Sequence, residues 1–320
     1  QAQVLKKVLA MSTKMQSYKY SEIFYSFQGE GHYIGKPTAW IRFFLCNLQC
    51  DGFGQQDPTD PSSYILPYKT ADLSNVSTIE ALPVFEYGCD SSYSWAKKYR
   101  YLAHNKPALE IAQQIISTLK HTTNPEGIFC HPVTGQETHM AFTGGEPLLN
   151  QAGIMAVMNA FDDLSNMPYK ITVETNGTQP LSRAMFNMIK GFQSIKFSKK
   201  DREKPEWFWS CSPKLFSTSG ESAKKAIKPE CVAHYAKASN HGQLKYVVDG
   251  SSRCWLEVEK NIELYRAAGV DWPVYIMPVG ATKEQQETDS IADIAIEAMH
   301  RGYYFSGRLH CYVFGNKIGS

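Results

Sequence analysis

From about residue 105 to the C-terminus, short apolar runs alternate with segments of helical period. That alternation restricts the fold of this 320-residue chain more than any other feature. The pattern predicts strands over 139–143, 169–174, 208–211, 243–248, 273–277 and 304–313. Between them it predicts helices over 149–164, 181–190, 223–237, 253–268 and 283–300. A further helix begins at Asn105-Lys106-Pro107, with Leu109, Ala112, Ile115, Ile116 and Leu119 at helical spacing. Upstream, 38–45 reads as the first buried strand and 22–27 as an earlier one. Strand–helix repetition of this kind means parallel strands joined by crossover helices, hence an α/β sheet or a partial (β/α) barrel. In both, chemistry gathers where the C-terminal ends of strands meet the following loops. One end of the sheet should therefore collect Cys46, Gly144-Gly145-Glu146, Asn176-Gly177, Ser212-Pro213-Lys214, Asp249-Gly250 and Pro278-Val279-Gly280.

Residues 51–88 break the rhythm with Gly52, Gly54, Pro58, Pro61, Pro67 and Pro83 and no sustained period. They read as an insertion within one domain spanning 22–320, preceded by an N-terminal extension over 1–21. Lysine plus arginine, 33, nearly balances aspartate plus glutamate, 31, which argues against a nucleic-acid-coating protein. No apolar run approaches the ~18 residues of a membrane span. The stretch Val4-Leu5-Lys6-Lys7-Val8-Leu9-Ala10-Met11 lacks the apolar core of a signal peptide. Cytoplasmic location and reduced cysteines are the expectation.

Eight cysteines stand at 46, 50, 89, 130, 211, 231, 254 and 311. Cys46-Asn47-Leu48-Gln49-Cys50 sets two thiols four positions apart just past a predicted strand. Alone, such a pair is more often inert and buried than metal-binding. Cys89, in Gly88-Cys89-Asp90-Ser91-Ser92-Tyr93-Ser94-Trp95, is a third candidate. Three thiolates leave one iron of a [4Fe–4S] cluster open to a small molecule, whereas structural zinc wants a fourth ligand nearby.

With Thr143-Gly144-Gly145-Glu146-Pro147 after the next strand, the cysteine pair resembles the radical S-adenosylmethionine (SAM) superfamily. The opening Phe27-Gln28-Gly29-Glu30-Gly31, then Trp40-Ile41-Arg42, narrows the resemblance to the 7-carboxy-7-deazaguanine synthase family. Glu174-Thr175-Asn176-Gly177-Thr178, Ser212-Pro213-Lys214, Leu244-Lys245-Tyr246-Val247-Val248 and Arg308-Leu309-His310 follow in that family's order. The chain departs from the family pattern in the cluster loop, where no cysteine stands soon after Cys50. The family's tail reappears at Cys89, so 51–88 reads as an interruption of that loop. Closing a longer loop is inexpensive, about 0.6 kcal/mol per doubling of length.

The resemblance implies roles residue by residue. Cys46, Cys50 and Cys89 would hold the [4Fe–4S] cluster. SAM would meet Gly88, Asp90, Gly145, Glu146, Ser212, Pro213 and Lys214, with Gly144 and Gly145 giving backbone close access. A pterin substrate, 6-carboxy-5,6,7,8-tetrahydropterin, would meet Phe27, Gln28, Gly29, Glu30, Arg42, Thr143 and His310. Arg42 would answer its carboxylate. Ser91 stands where the family has a threonine that helps bind Mg²⁺. The family's shorter members present their terminal carboxylate to the substrate. This tail runs on past His310, so that contact is not expected. The implied activity is conversion of the pterin to 7-carboxy-7-deazaguanine with loss of ammonia, in 7-deazapurine and queuosine biosynthesis. It would come with a flavodoxin-like or other low-potential electron donor and a homodimeric state.

Two alternatives stay open at this stage: a different radical SAM reaction, such as activation of a partner protein, and a cluster-free binding protein of the same fold. Gly31-His32-Tyr33-Ile34-Gly35-Lys36 is similar to a P-loop, but its glycine spacing is one short and Pro37 replaces Ser/Thr. The basic run 196–204 reads as a solvated face, with docking of an acidic electron donor as the lesser reading.

Overall fold

The computed structural model describes residues 16–195 and 204–319. The N-terminal stretch through 15, and the charge run at 196–204 except for Lys204, lie outside the described residues. Nine strands form one sheet: β1 Ser17–Phe27, β2 Pro37–Phe43, β3 His104–Pro107, β4 His139–Gly144, β5 Lys170–Thr175, β6 Glu206–Cys211, β7 Gly242–Val248, β8 Val274–Pro278 and β9 Tyr304–Phe305. Their order is β3-β1-β2-β4-β5-β6-β7-β8-β9. The β1 strand runs antiparallel to β2 and β3, while every pairing from β2 to β9 is parallel. The sheet does not close on itself, so the expected partial barrel is what the chain forms.

The parallel strands β4 to β8 are nearly all buried, as parallel strands covered by helices are. All six residues of β4 are buried. Against the sheet pack α1 Ala108–Thr118, α2 Gln151–Asp163, α3 Arg183–Gln193, α4 Pro229–Ala238, α5 Ser252–Ala267 and α6 Ser290–His300. Trp207 and Trp209 sit fully buried at the centre, with Phe142 stacked near Trp207. Helix α1 buries Ala108, Ile111, Ala112 and Ile115, and leaves Leu109 exposed. Ala112, Ile115 and Leu119 are buried as expected, and Ala108 and Ile111 take the inward place expected of Leu109.

Several boundaries differ for local reasons. Pro229 starts α4 and separates it from the short helix Ala223–Ala226, so one expected helix becomes two. A capping box at Thr282 and Gln285 likewise forms the separate turn Lys283–Gln286 before α6. The largest correction is at the C-terminus. The expected strand 304–313 is only Tyr304–Phe305, followed by a short helix, α7, over Leu309–Phe314. Strand β9 ends where Ser306 turns inward to accept a hydrogen bond from the Gly31 N–H.

Residues 51–88 leave the sheet and return. The Gly88 N–H donates to the Phe53 carbonyl at 2.8 Å, so the two ends of the excursion are adjacent. Between them Tyr68, Ile79, Leu82 and Phe85 build a second small core with Tyr93, Ala96, Tyr99 and Leu102.

Candidate active site

A cavity of about 290 Å³ opens at the C-terminal ends of the parallel strands. It is lined by Cys46, Cys50 and Cys89, by Glu30, Arg42 and Arg308, and by residues from most of the expected loops. Asp249 is an exception: it accepts from Ser251 in the turn that opens α5 and does not line the cavity.

The cysteine loop is held from three sides. Leu45 and Cys50 both have positive φ, 112° and 56°, uncommon for side-chain-bearing residues. Glu221 accepts from the Gln49 N–H at 2.6 Å and the Cys50 N–H at 3.0 Å, which fixes the second turn. Asn176 donates to Asn47 Oδ1 at 3.1 Å, and Asn47 donates to Thr178 at 2.9 Å. This is the local work of the Glu-Thr-Asn-Gly-Thr run: it braces the cysteine loop.

The glycine pair has a packing reason of its own. A Cβ on Gly144 would lie 2.5 Å from the Phe43 carbonyl oxygen, and one on Gly145 2.5 Å from both Cys46 Cβ and the Leu45 carbonyl oxygen. Gly144 lets the β4 end press against the end of β2 and Gly145 against the cysteine loop, and both line the cavity. Glu146, expected to touch SAM, is wholly buried. It accepts from Leu148 N–H, Thr175 Oγ and Asn176 N–H at 2.7–3.0 Å. It ties the ends of β4 and β5 together, and burial raises its carboxyl to about 7. Neither Glu146 nor Pro213 lines the cavity; the other expected site residues do.

Cys46, Cys50 and Cys89 pack in one small group with Leu48, Phe53 and Ala226. Burial pushes the Cys46 thiol up to about 12 and Cys89 to about 11, while Lys214 acts in the opposite sense on both. Lys214 donates to Ser212 at 3.0 Å and lies over the Phe53 ring. Metal binding here must therefore displace protons, and Lys214 supplies the compensating positive charge. Among the described residues no three His, Cys, Asp or Glu side chains converge as ligands of a single ion would. A four-iron cluster asks for thiols spread over separate irons, and three cysteines around one cavity fit that group.

The same cavity is lined by a chain of charged groups. Lys245 donates to Glu30 at 2.6 Å and Glu174 at 3.2 Å, and Gln28 donates to Glu174 at 2.9 Å. Arg308 donates to Glu30 at 3.0 Å and Asp90 at 2.6 Å. Arg42 donates to Glu22 at 2.6 Å and to Ser91 at 3.2 Å, and Tyr93 donates to the same Glu22 oxygen. Burial alone would raise the Glu30 carboxyl, but Lys245 and Arg308 outweigh it and hold Glu30 well below the usual range. His310 lies over Gly29, where a Cβ would fall 2.0 Å from its Nδ1, so only glycine fits there. Burial, then Arg308, lowers His310 to about 4.

Ser91 fits a divalent cation less well. Its hydroxyl accepts from Arg42 and donates to Asp90, so a cation would have to displace the guanidinium. Sequence reasoning assigned no role to Lys245, Glu174, Arg308, Glu22 or Glu221. For Lys245 the available signal was a lysine within the run Leu244–Val248 of β7. The tail also reaches the cavity, which Asn316, Lys317, Ile318 and Gly319 line, while Ser320 lies outside the described residues.

An open (β/α) barrel with three thiols lining one charged cavity at the strand ends has the architecture of the radical SAM class. Comparison with known proteins is consistent with that class. No protein-family model matches the chain. A curated 7-carboxy-7-deazaguanine synthase from Halobacterium salinarum is 25% identical over 308 residues, covering 91% of this chain and 88% of the relative. Another of that name from Rhodopirellula baltica is 24% identical over 304 residues, covering 94% and 88%. A third, from Bacteroides thetaiotaomicron, is 59% identical over a 32-residue stretch that covers 10% of this chain and 18% of the relative. The crystal structure of QueE from Escherichia coli shares the fold with a TM-score of 0.50 at 16% identity, covering 94% of this chain and 98% of that one. The resemblance to 7-carboxy-7-deazaguanine synthase read from the motifs is borne out.

Proposed function

We infer that this chain is a carbon–nitrogen lyase of the radical SAM class that converts 6-carboxy-5,6,7,8-tetrahydropterin to 7-carboxy-7-deazaguanine with loss of ammonia. One observation carries the reading: the three thiols and the charged groups of Glu30, Arg308 and Arg42 line a single cavity. In this reading Cys46, Cys50 and Cys89 hold the cluster, and residues 51–88 are an insertion in a single domain over 22–320 that follows an extension at 1–21. Cluster and SAM, when bound, supply a hydrogen-abstracting radical.

The chain's own residues select and hold the substrate. Glu30, kept ionised by Lys245 and Arg308, accepts from the guanidine-like edge of a pterin. Arg42 has its Nε on Glu22 and its Nη1 on Ser91 and the Gly144 carbonyl, which leaves Nη2 for a substrate carboxylate. His310, neutral at physiological pH, offers a ring nitrogen beside Glu30 without adding charge. Ser212 and Lys214 stand on the thiol side, where SAM's charged end would lie. A cytoplasmic homodimer served by a low-potential electron donor belongs to the same reading.

The test is anaerobic incubation of the reconstituted protein with SAM, reductant and carboxypterin, with and without Mg²⁺, followed by mass analysis. Product lighter by ammonia supports the reading. A cluster-loaded protein that cleaves SAM but leaves the pterin unchanged overturns it.

A further inference from the structure

The cavity is walled on one side by two segments that meet each other. From the excursion come Phe53, Pro83, Val84 and Glu86; from the C-terminus come Asn316, Lys317, Ile318 and Gly319. The tail reaches this position by a reversal after α7, where Gly315 and Asn316 adopt φ of 65° and 56°. Asn316 donates from its side chain to the Ala281 carbonyl at 2.8 Å, and Phe314 stacks near Phe27 at 6.5 Å between centroids. Beyond that reversal Ile318 packs against the small core built by Tyr68, Ile79, Leu82 and Phe85. A second bridge runs nearby, from the Gln285 side chain to the Glu86 carbonyl at 3.4 Å.

We propose that the excursion 51–88 is a docking platform for the C-terminal tail, and that Ile318, seated on it, is a positioning residue that keeps 316–319 as a wall of the substrate cavity. The second core requires this to be more than filler. A loop that only linked Cys50 to Cys89 would need no apolar interior, since Gly88 and Phe53 already close it by a backbone hydrogen bond. An apolar interior that accepts one side chain from a segment more than two hundred residues away acts as a receptor for that segment. The tail is tied at its near end by the bonds of Asn316 to the Ala281 and His310 carbonyls. Between α7 and residue 319 it forms no strand or helix, and Gly315, Lys317 and Gly319 are exposed while Ile318 is half-buried. Without Ile318 seated, ordering 317–319 over the cavity would lack a compensating apolar contact. Arg308 and His310, which precede the reversal, are held independently by Glu30 and Asp90, so loss of the pin should open the wall and leave the charged floor in place.

The consequence for substrate rests on the proposed function; the docking itself does not. The experiment compares wild type with Ile318→Asp and Ile318→Leu, each reconstituted with iron and sulfide. Hydrogen–deuterium exchange is read over 309–319, and steady-state constants are read with carboxypterin. In Ile318→Asp, exchange across 315–319 should rise clearly and KM for the pterin should increase about tenfold. Iron content and kcat should stay near wild type, and Ile318→Leu should restore both readouts. Unchanged exchange in Ile318→Asp overturns the docking. Increased exchange with an unchanged KM overturns the wall assignment. A wild-type chain that carries its cluster but does not process the pterin removes the proposed function, and the exchange result still decides the docking.

Discussion

Arg308 and Asp90, 218 positions apart, are joined by a 2.6 Å bond from Nη2 to Oδ2, and the same guanidinium reaches Glu30 from Nε. Asp90 directly follows Cys89, so Arg308 couples the placement of that thiol to Glu30. Both side chains are largely withdrawn from solvent. Removing one partner of such a pair leaves the other charge buried, at a cost of about 3 kcal/mol. Arg308→Ala should lower the unfolding free energy by about that amount in urea titrations. A loss within experimental error of zero would show that the array does not hold the two segments together.

Cys89 tests the reading of the interrupted loop. Cys89→Ala should lose the cluster's visible absorbance, its bound iron and sulfide, and SAM cleavage to background. Cys254 is fully buried in the first turn of α5 and does not line the cavity. Cys254→Ala should keep all three readouts at a modest stability cost of about 1 kcal/mol. Retention of iron by Cys89→Ala would move the third ligand elsewhere, with Cys211 the nearest thiol in sequence to the Ser212-Pro213-Lys214 loop.

Arg42 is placed to recognise a carboxylate, held by Glu22 and lying over the Tyr93 ring. A charge-assisted bond lost from a buried site is worth about 2–3 kcal/mol, so Arg42→Ala should weaken carboxypterin binding on the order of 100-fold. The same pterin lacking its carboxylate should bind wild type and variant alike. Calorimetry on protein of equal iron content reads the difference. Equal losses for both ligands would mean that Arg42 only supports the local structure.

Much of this was legible in the sequence, for physical reasons that also mark its limits. Strand–helix alternation reports burial, and burial is what parallel strands impose, so β2 and β4 to β8 stood out. The segment 304–313 misled because Tyr304, Phe305, Tyr312 and Val313 look strand-like, yet all are exposed. What sets α7 is the need to bring Arg308 and His310 back over Glu30, a tertiary demand with no local signature. Cys46, Cys50 and Cys89 were readable as motifs. Glu221 and Lys245 act through contacts made only after folding, so neither announces itself. Glu146 was misassigned because a motif gives a position and not the direction its side chain faces.

His310 gives the protein a pH dependence whose sign follows from its lowered value of about 4. Between that value and the ordinary 6.5, the unfolded chain binds the proton and the folded chain does not. Stability is then fully present above 6.5 and is lost as pH falls toward 4. At pH 5 the loss relative to neutral should be about 2 kcal/mol. Urea titrations at pH 5 and 7 on wild type and His310→Gln measure it, with the variant losing less. Identical pH slopes would assign the acid sensitivity to other groups.

Shortening the excursion separates its two tasks. The Phe53 carbonyl already accepts from Gly88 N–H, and a Cβ on Gly54 would lie 2.9 Å from the Glu86 carbonyl oxygen. Joining Gly54 to Tyr87 should therefore leave the cysteine loop in its present path, and the shorter loop costs less entropy to close. Cluster loading should persist. Stability should not, because Tyr93, Tyr99 and Leu102 lose Tyr68, Leu82 and Phe85 as cover. Exposing large side chains of this kind costs about 1.5–3 kcal/mol apiece, so a clear drop in melting temperature is expected. The KM for the pterin should rise as in Ile318→Asp, since the platform is gone. A shortened chain that folds, by far-ultraviolet circular dichroism, yet takes up no iron would show that the excursion itself positions Cys89.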